Sequence, residues 1–368
     1  MVTGTGLVER AGGLGELGRR RAADAEERRR LTPDVVARML ESGFARHFVP
    51  VGFGGVEGGF GEFARAVAVV AEGCAATAWC ASVAASLARV AACLPEEGQA
   101  DVWGGGADAF VVGSLSPAGK AAPAPGGWQL SGSWAYISGV DYADWVVLCA
   151  VLPGGGGARL FALPRGAYAV KDTWTGSGMR GTGSNTVIVD DVFVPESRSA
   201  DRQRLSDGRT VPIQAVNGLS CAPAALGAAR GALKLWTADT AQRLARGGGR
   251  VGGPGPSLST YEAVLTRSSG EIDAAMLLLE RAASVADRGA GITGEEIARN
   301  VRDYALSAEL LVNAVNRMFA ASGTSGQSTR SPLERAWRDV NSIATHIALT
   351  FDPAAVLFSS RPFALEAA

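Results

Sequence analysis

The sequence predicts an α+β fold, mostly α, in three blocks: an N-terminal helical domain over residues 1–108, a middle β-domain over 109–205 and a C-terminal helical bundle over 206–368. Two changes of pattern predict it. Helical spacing of apolar residues gives way near Phe110 to short β-branched or aromatic runs between Gly and Pro clusters, and it returns beyond Ser206 in long stripes. At 368 residues and 47% hydrophobic content, the chain can bury more than one core.

In the first block Thr32 is a candidate N-cap, Pro33 takes the first helical position, and Gly43 stands where that helix can end. After the glycine-rich loop Pro50 to Gly59, the residues Phe63, Val67, Val70, Cys74 and Thr77 recur at helical spacing. They lead into a helix of small residues around Ala81 to Val90, whose short side chains permit close helix contact. Strands of the middle block are expected at Phe110–Gly113, Trp128–Leu130, Trp145–Val151, Leu160–Leu163 and Thr186–Val194. In the third block the stripes are Ile272, Ala275, Met276, Leu279, Ala282, Ala283, Ala286 and then Ile297, Val301, Tyr304, Ala308, Leu311, Val315, Phe319. The glycine clusters Gly154–Gly157 and Gly247–Gly255 lack the strand-to-helix context of a phosphate loop and read as connections.

Charge excludes some partners. Lys plus Arg (35) nearly cancels Asp plus Glu (36), so no long-range field would hold nucleic acid or an anionic membrane. Arg19–Arg21 and Arg28–Arg30 are interleaved with Glu26 and Glu27 and read as a solvated helix face. Arg89 interrupts the apolar stretch from Ala75 to Leu94, and the N-terminus lacks the succession of a signal peptide, so a soluble, cytoplasmic protein is expected. Five cysteines form no C-x-x-C pair and only His47 and His346 could join them, so neither a disulfide framework nor a structural metal is expected.

Five stretches carry a family resemblance. They are His47–Pro50 leading to Gly54-Gly55; Val112-Gly-Ser-Leu-Ser-Pro117; Gly132-Ser-Trp-Ala-Tyr-Ile-Ser-Gly139 followed by Asp144-Trp145; Met179-Arg-Gly-Thr-Gly-Ser-Asn-Thr186 with Val192–Pro195; and Trp337-Arg-Asp339 with His346. In this order and spacing, and over nearly the whole chain, the sequence resembles the acyl-CoA dehydrogenase superfamily. Within it the chain is more similar to the reduced-flavin-dependent aromatic hydroxylases, including those that tailor polyketides such as pyranonaphthoquinones.

That resemblance implies roles residue by residue. The strand matching Tyr136–Ser138 runs past the flavin in the family, so Tyr136 would wall the isoalloxazine and Ser138 would hydrogen-bond near N5. Gly113, Ser114 and Ser116 fall in the turn that meets the flavin's pyrimidine edge, or else satisfy their own turn. Trp134, two residues before Tyr136, shares its strand face, and either lines the same site or fills core. His346 matches the histidine placed beside the flavin, where an imidazole of pKa about 6.5 suits proton exchange near neutral pH. His47 either binds a phenol or quinone oxygen or is a loop residue. Arg180 is a minor candidate for an anionic group. Arg338 and Asp339 read as an ion pair fixing the last helices, and Cys80 and Cys149 as buried packing residues.

The implied activity is that of an oxygenase component. Reduced FMN, or FAD, and O2 give a C4a-hydroperoxide that hydroxylates an aromatic, phenolic or quinol natural product, in a site kept dry around N5 and C4a. A separate flavin reductase supplies the reduced flavin, and the family's C-terminal bundle implies a homotetramer. Two rivals share the fold: an N-hydroxylase or nitrososynthase acting on an amine or amino sugar, and an FAD-dependent acyl-CoA dehydrogenase. Against the dehydrogenase, the position where a glutamate base is commonly found holds Ile347, which cannot take a proton. The C-terminus departs from the family pattern after Phe351, ending Ser359-Ser-Arg-Pro362.

Overall fold

A computed structural model describes residues 6–206, 211–249, 256–360 and 362–363. Among the described residues five α-helices come first: α1 Leu7–Arg28, α2 Pro33–Glu41, α3 Phe60–Gly73, α4 Ala75–Ala91 and α5 Glu96–Trp103. Thr32 is the N-cap of α2 with Pro33 at its start, and Gly43 follows the helix at φ +81°, the left-handed region a glycine enters without steric cost. Cys74 adopts φ −157°, ψ 112°, and this extended residue divides α3 from α4.

Strands β1 Val111–Ala124, β2 Gly127–Ile137, β3 Trp145–Val151, β4 Ala158–Pro164, β5 Ala169–Lys171, β6 Asn185–Pro195 and β7 Ser199–Asp201 form one sheet, in the order β5-β6-β2-β1-β3-β4-β7. The pair β1–β3 is parallel and the other pairs are antiparallel. The three-residue strands β5 and β7 at the sheet edges carry too few residues to show alternation, and the sequence pattern does not reveal them. Gly154–Gly157 makes the β3–β4 connection. The expected turn at Val112–Pro117 is instead a bulge inside β1: Ser114 pairs with Leu148 and Gly119 with Ala150, so five steps along β1 face two along β3.

Helices α6 Ile213–Val216, α7 Ala222–Ala245, α8 Leu258–Asp287, α9 Gly294–Ala321, α10 Gly323–Gly326, α11 Pro332–Ala344 and α12 Phe351–Ser359 complete the chain. Of the cluster Gly247–Gly255, residues 250–255 lie outside those described, as does residue 361 of the divergent C-terminus. The start of α9 is fixed by a capping box in which the Thr293 hydroxyl accepts from Glu296 N–H and the Glu296 carboxylate accepts from Thr293 N–H. Leu279, Ala282, Ala283 and Ala286 of α8 and Ala308, Leu311 and Val315 of α9 are buried as their spacing predicts. Burial of α3 and α7 against one another merges the first and last blocks into one core. Gly227 of α7 lies so near α3 that a Cβ there would stand 2.0 Å from the Ala68 carbonyl oxygen. Among the described residues no helix is long and apolar enough to cross a membrane.

Candidate active site

The β1–β2 hairpin pairs Gly119 with Gly132 and turns at Ala124–Gly127, so its open end carries 111–116 on one strand and 135–138 on the other. At that end β2 is bulged: Trp134 pairs with Val187 but Ile137 with Asn185, three steps against two. The extra residue is accommodated with Tyr136 at φ +64°, a conformation costing a non-glycine residue on the order of 1 kcal/mol or more. Strand alternation is therefore lost. Trp134 is 1% exposed, whereas Tyr136 is 75% exposed, with its ring edge-on to Trp174 at 6.3 Å. The expectation that Trp134 and Tyr136 share a face is wrong for this reason. Trp134 fills core: its indole occupies the space left by Gly119 and Gly132, where a Cβ would come within 2.2 and 2.7 Å of the ring, and its Nε1 donates to the Cys149 carbonyl at 2.7 Å.

After the bulge Ser138 turns inward and is buried. Its Oγ accepts from Trp79 Nε1 at 3.0 Å and lies 2.8 Å from Ser184 Oγ, which lies 2.6 Å from Thr182 Oγ1. Thr182 donates its only hydroxyl proton to the Met179 carbonyl at 2.8 Å, and this fixes the direction of the row. Ser184 must donate to Thr182, and Ser138 to Ser184. Ser138 thus has its proton committed inward and keeps acceptor capacity for anything bound beside it.

His346 comes to the same place from the other end of the chain. It does not sit within a helix but N-caps the 3-10 turn Ile347–Leu349, its Nδ1 accepting from Ala348 N–H at 3.3 Å and facing the Cys221 sulfur at 3.4 Å. The Trp79 indole that donates to Ser138 also stands edge-on to the His346 ring, with centroids 5.6 Å apart. Cys221 pushes the imidazole above its ordinary value, against the opposing effect of burial. Ile347 is 73% exposed and supplies no base.

Ser138 and His346, both expected from sequence, are thus joined through Trp79, which sequence reasoning missed. Its signal was available, because Trp79 is the sole aromatic residue in the small-residue helix α4. Thr182 and Ser184 belong to a quoted motif but had no role there, and Cys221 carried no signal at all. Gly113 is a ladder residue paired with Val147, Ser114 Oγ accepts from Ser116 N–H at 3.3 Å within the bulge, and Ser116 is exposed.

Other expectations need correction. His47 is no exposed loop residue poised for substrate: it is 2% exposed, its Nε2 meets the Gly59 carbonyl at 3.0 Å, and its ring packs against Phe48 and Phe63. Burial lowers its pKa, so it is held neutral under the 47–59 loop. Arg338 and Asp339 do not pair with each other. Arg338 binds Glu334 and Glu26, each with a contact at or below 2.7 Å, and Asp339 Oδ1 accepts from Met179 N–H at 2.6 Å, so both tie α11 to neighbouring segments. Arg180 spends its guanidinium on the Glu26 and Gly176 carbonyls. Cys80 and Cys149 are buried, and burial raises the Cys149 thiol to about 11. A cavity of about 760 Å³ opens near Lys120, Gln129 and Asp191 on the sheet, but it contains none of Ser138, Trp79 or His346.

Asp339 yields a test of its own. Burial lifts its carboxyl to about 6, so the protonated acid is the form the fold prefers, and the stability it contributes is complete below about pH 4 and lost as pH rises through 6. Asp339→Asn keeps an acceptor for Met179 and removes this titration. Melting should show the variant gaining on the parent by about 2 kcal/mol between pH 4.5 and 7.5; a difference that stays flat across this range refutes the buried titration.

Comparison with known proteins places the chain. Residues 219–351 match the family model "Acyl-CoA dehydrogenase, C-terminal domain". The FADH(2)-dependent resorcinol hydroxylase, oxygenase component, of Rhizobium sp. (strain MTP-10005) is 31% identical, over 98% of this chain and 94% of that protein. Among solved structures, 3-HSA hydroxylase from Rhodococcus sp. RHA1 superposes with a TM-score of 0.91 at 27% identity, covering 99% of this chain and 98% of that one. XiaF from Streptomyces sp., in complex with FADH2 and glycerol, gives 0.90 at 28% identity, covering 98% and 95%. These likenesses establish that the chain belongs to the oxygenase components of two-component flavin-dependent monooxygenases, on the acyl-CoA dehydrogenase-like fold that the order of helices, sheet and bundle displays.

Proposed function

We propose that the chain hydroxylates a phenolic or quinol ring of a small aromatic natural product, a polyketide among the candidates, using O2 and reduced FMN, with FAD as the alternative flavin. The observation that carries the cofactor reading is the direction of the hydroxyl row. Ser138 can only accept from a bound group, and the N5 edge of a reduced flavin carries an N–H where the oxidised ring carries a lone pair. The exposed Tyr136 ring, held out by the bulge, offers an aromatic wall of the right chemistry for a planar ring system. The residues present therefore fit a reduced flavin. When bound, reduced flavin activates O2, so that one oxygen atom enters the substrate and the other leaves as water.

The chain's own residues then have defined tasks. Tyr136 walls the ring. Ser138, its proton fixed by Ser184 and Thr182, holds the N5 edge, and Trp79 keeps Ser138 and His346 in register. His346, with Nδ1 occupied by Ala348 N–H, carries its proton on Nε2 and donates from there toward the oxygen being transferred or exchanges the proton of a phenol. Gly113, Ser114 and Ser116 at the open end of the hairpin would meet the pyrimidine edge. A reductase partner delivers the flavin, in the cytoplasm. A homotetramer accords with the exposed apolar residues Leu258, Leu265 and Leu277 of α8 and Val356 and Leu357 of α12, which a single chain leaves uncovered.

The test is anaerobic mixing of the protein with photoreduced FMN, then oxygenated buffer, while the flavin spectrum is recorded and products are collected from a panel of phenols, resorcinol included, and amines. Expected are a slowed return to the oxidised spectrum and a hydroxylated phenol. Immediate oxidation unaffected by any aromatic, or oxidation of amines alone, overturns the proposal. Sedimentation of the same preparation should give the mass of four chains.

A further inference from the structure

Cys221, at the N-cap of α7, lies 125 residues before His346 in sequence, yet its sulfur is 3.4 Å from Nδ1. Two donors thus converge on that nitrogen in the neutral ring: Ala348 N–H at 3.3 Å and the thiol. If the ring becomes an imidazolium, Nδ1 carries a proton that must find an acceptor, and a backbone N–H cannot provide one. The sulfur can. Its own proton then turns to Ser220 Oγ, also 3.4 Å away, whose hydrogen is already committed to the Asn217 carbonyl at 2.6 Å and whose lone pairs are free.

We propose that Cys221 is a positioning residue for His346, its sulfur serving Nδ1 as donor when the imidazole is neutral and as acceptor when it is charged, so that the ring can gain or release a proton without losing its orientation. Its role in oxygen transfer rests on the flavin hydroxylase reading above; the thiol–imidazole pairing itself does not. No covalent step is involved, and the proton that the ring gains comes from solvent or substrate.

The surroundings leave few competitors. Trp79 of α4 faces the ring edge-on and does not titrate in this range. Glu309 of α9 and Asp352 of α12 line a groove with Leu349 and Thr350. Cys221 is the group in hydrogen-bond contact with Nδ1, and it raises the imidazole pKa although burial opposes it.

The chain has two histidines, so selective 15N-histidine labelling gives two imidazoles to follow by NMR without any flavin. His346→Gln assigns them by loss of one set of signals, and His47, buried against Gly59, reports that the fold is intact. In the parent, His346 should be the Nε2–H tautomer and titrate above an ordinary histidine. Cys221→Ala should lower its midpoint by on the order of one pH unit. Cys221→Ser, whose hydroxyl also both donates and accepts, should restore most of that shift. The same order should appear in the pH profile of hydroxylation, with kcat moving more than KM. Unchanged His346 signals in Cys221→Ala beside native His47 signals overturn the proposal, as does an equal shift in Ala and Ser. Because the titration needs no flavin, it can succeed even if the hydroxylase assignment fails, and fail while that assignment stands.

Discussion

Replacing His346 by alanine is expected to cut hydroxylated product per reduced flavin consumed by about a hundredfold or more, the usual range for loss of a positioned acid–base group. Hydrogen peroxide should rise in its place. The imidazole stands beyond the Trp79 edge from Ser138, so its loss removes a proton donor while leaving the Ser138–Ser184–Thr182 row intact. Binding of reduced flavin should therefore change by a few-fold at most, and the defect should lie in the yield of oxygen transfer. Single-turnover mixing with product and peroxide measured together distinguishes the two. A His346→Ala protein with parental product yield removes His346 from the chemistry, and one that no longer binds flavin makes it a structural residue.

The second large effect is on stability. Trp134→Ala should destabilise the protein by about 3–5 kcal/mol, because it empties a fully buried indole site and leaves the Cys149 carbonyl without its donor. Relaxation is restricted: Gly119 and Gly132 face the ring with no side chains to fill the space. Trp134→Phe, which keeps most of the volume and loses the N–H, should cost about 1–2 kcal/mol. Denaturant midpoints for the three proteins give the comparison. If Trp134 lined the flavin site instead, alanine would chiefly weaken flavin binding with little loss of stability, and that outcome would reverse the assignment made from its burial.

Local pattern was sufficient for much of the architecture. Thr32-Pro33 started α2, Trp145–Val151 defined β3 to the residue, and the stripe beginning at Ile272 buried the expected face of α8. These succeed because caps, β-branched runs and helical spacing act over a few residues, where sequence distance and spatial distance agree. The family motifs named Ser138 and His346, and the fold brings both against Trp79. Pattern failed where one residue breaks a period: the bulge in β2 separates Trp134 from Tyr136, and no alternation rule shows where an extra residue enters a strand.

By itself, then, the sequence determined the order of helices, sheet and bundle, through short-range signals and family motifs, and it named the two ends of the proposed site. Only the tertiary structure decided that Trp79 joins those ends, that Thr182 fixes the direction of the proton on Ser138, that Cys221 meets His346, and that His47 lies under its own loop. Each of these depends on at least one contact between residues 12 to 267 positions apart. The packing of α4, β2, α7 and the turn after α11 around one core sets them, and no local spacing encodes that packing.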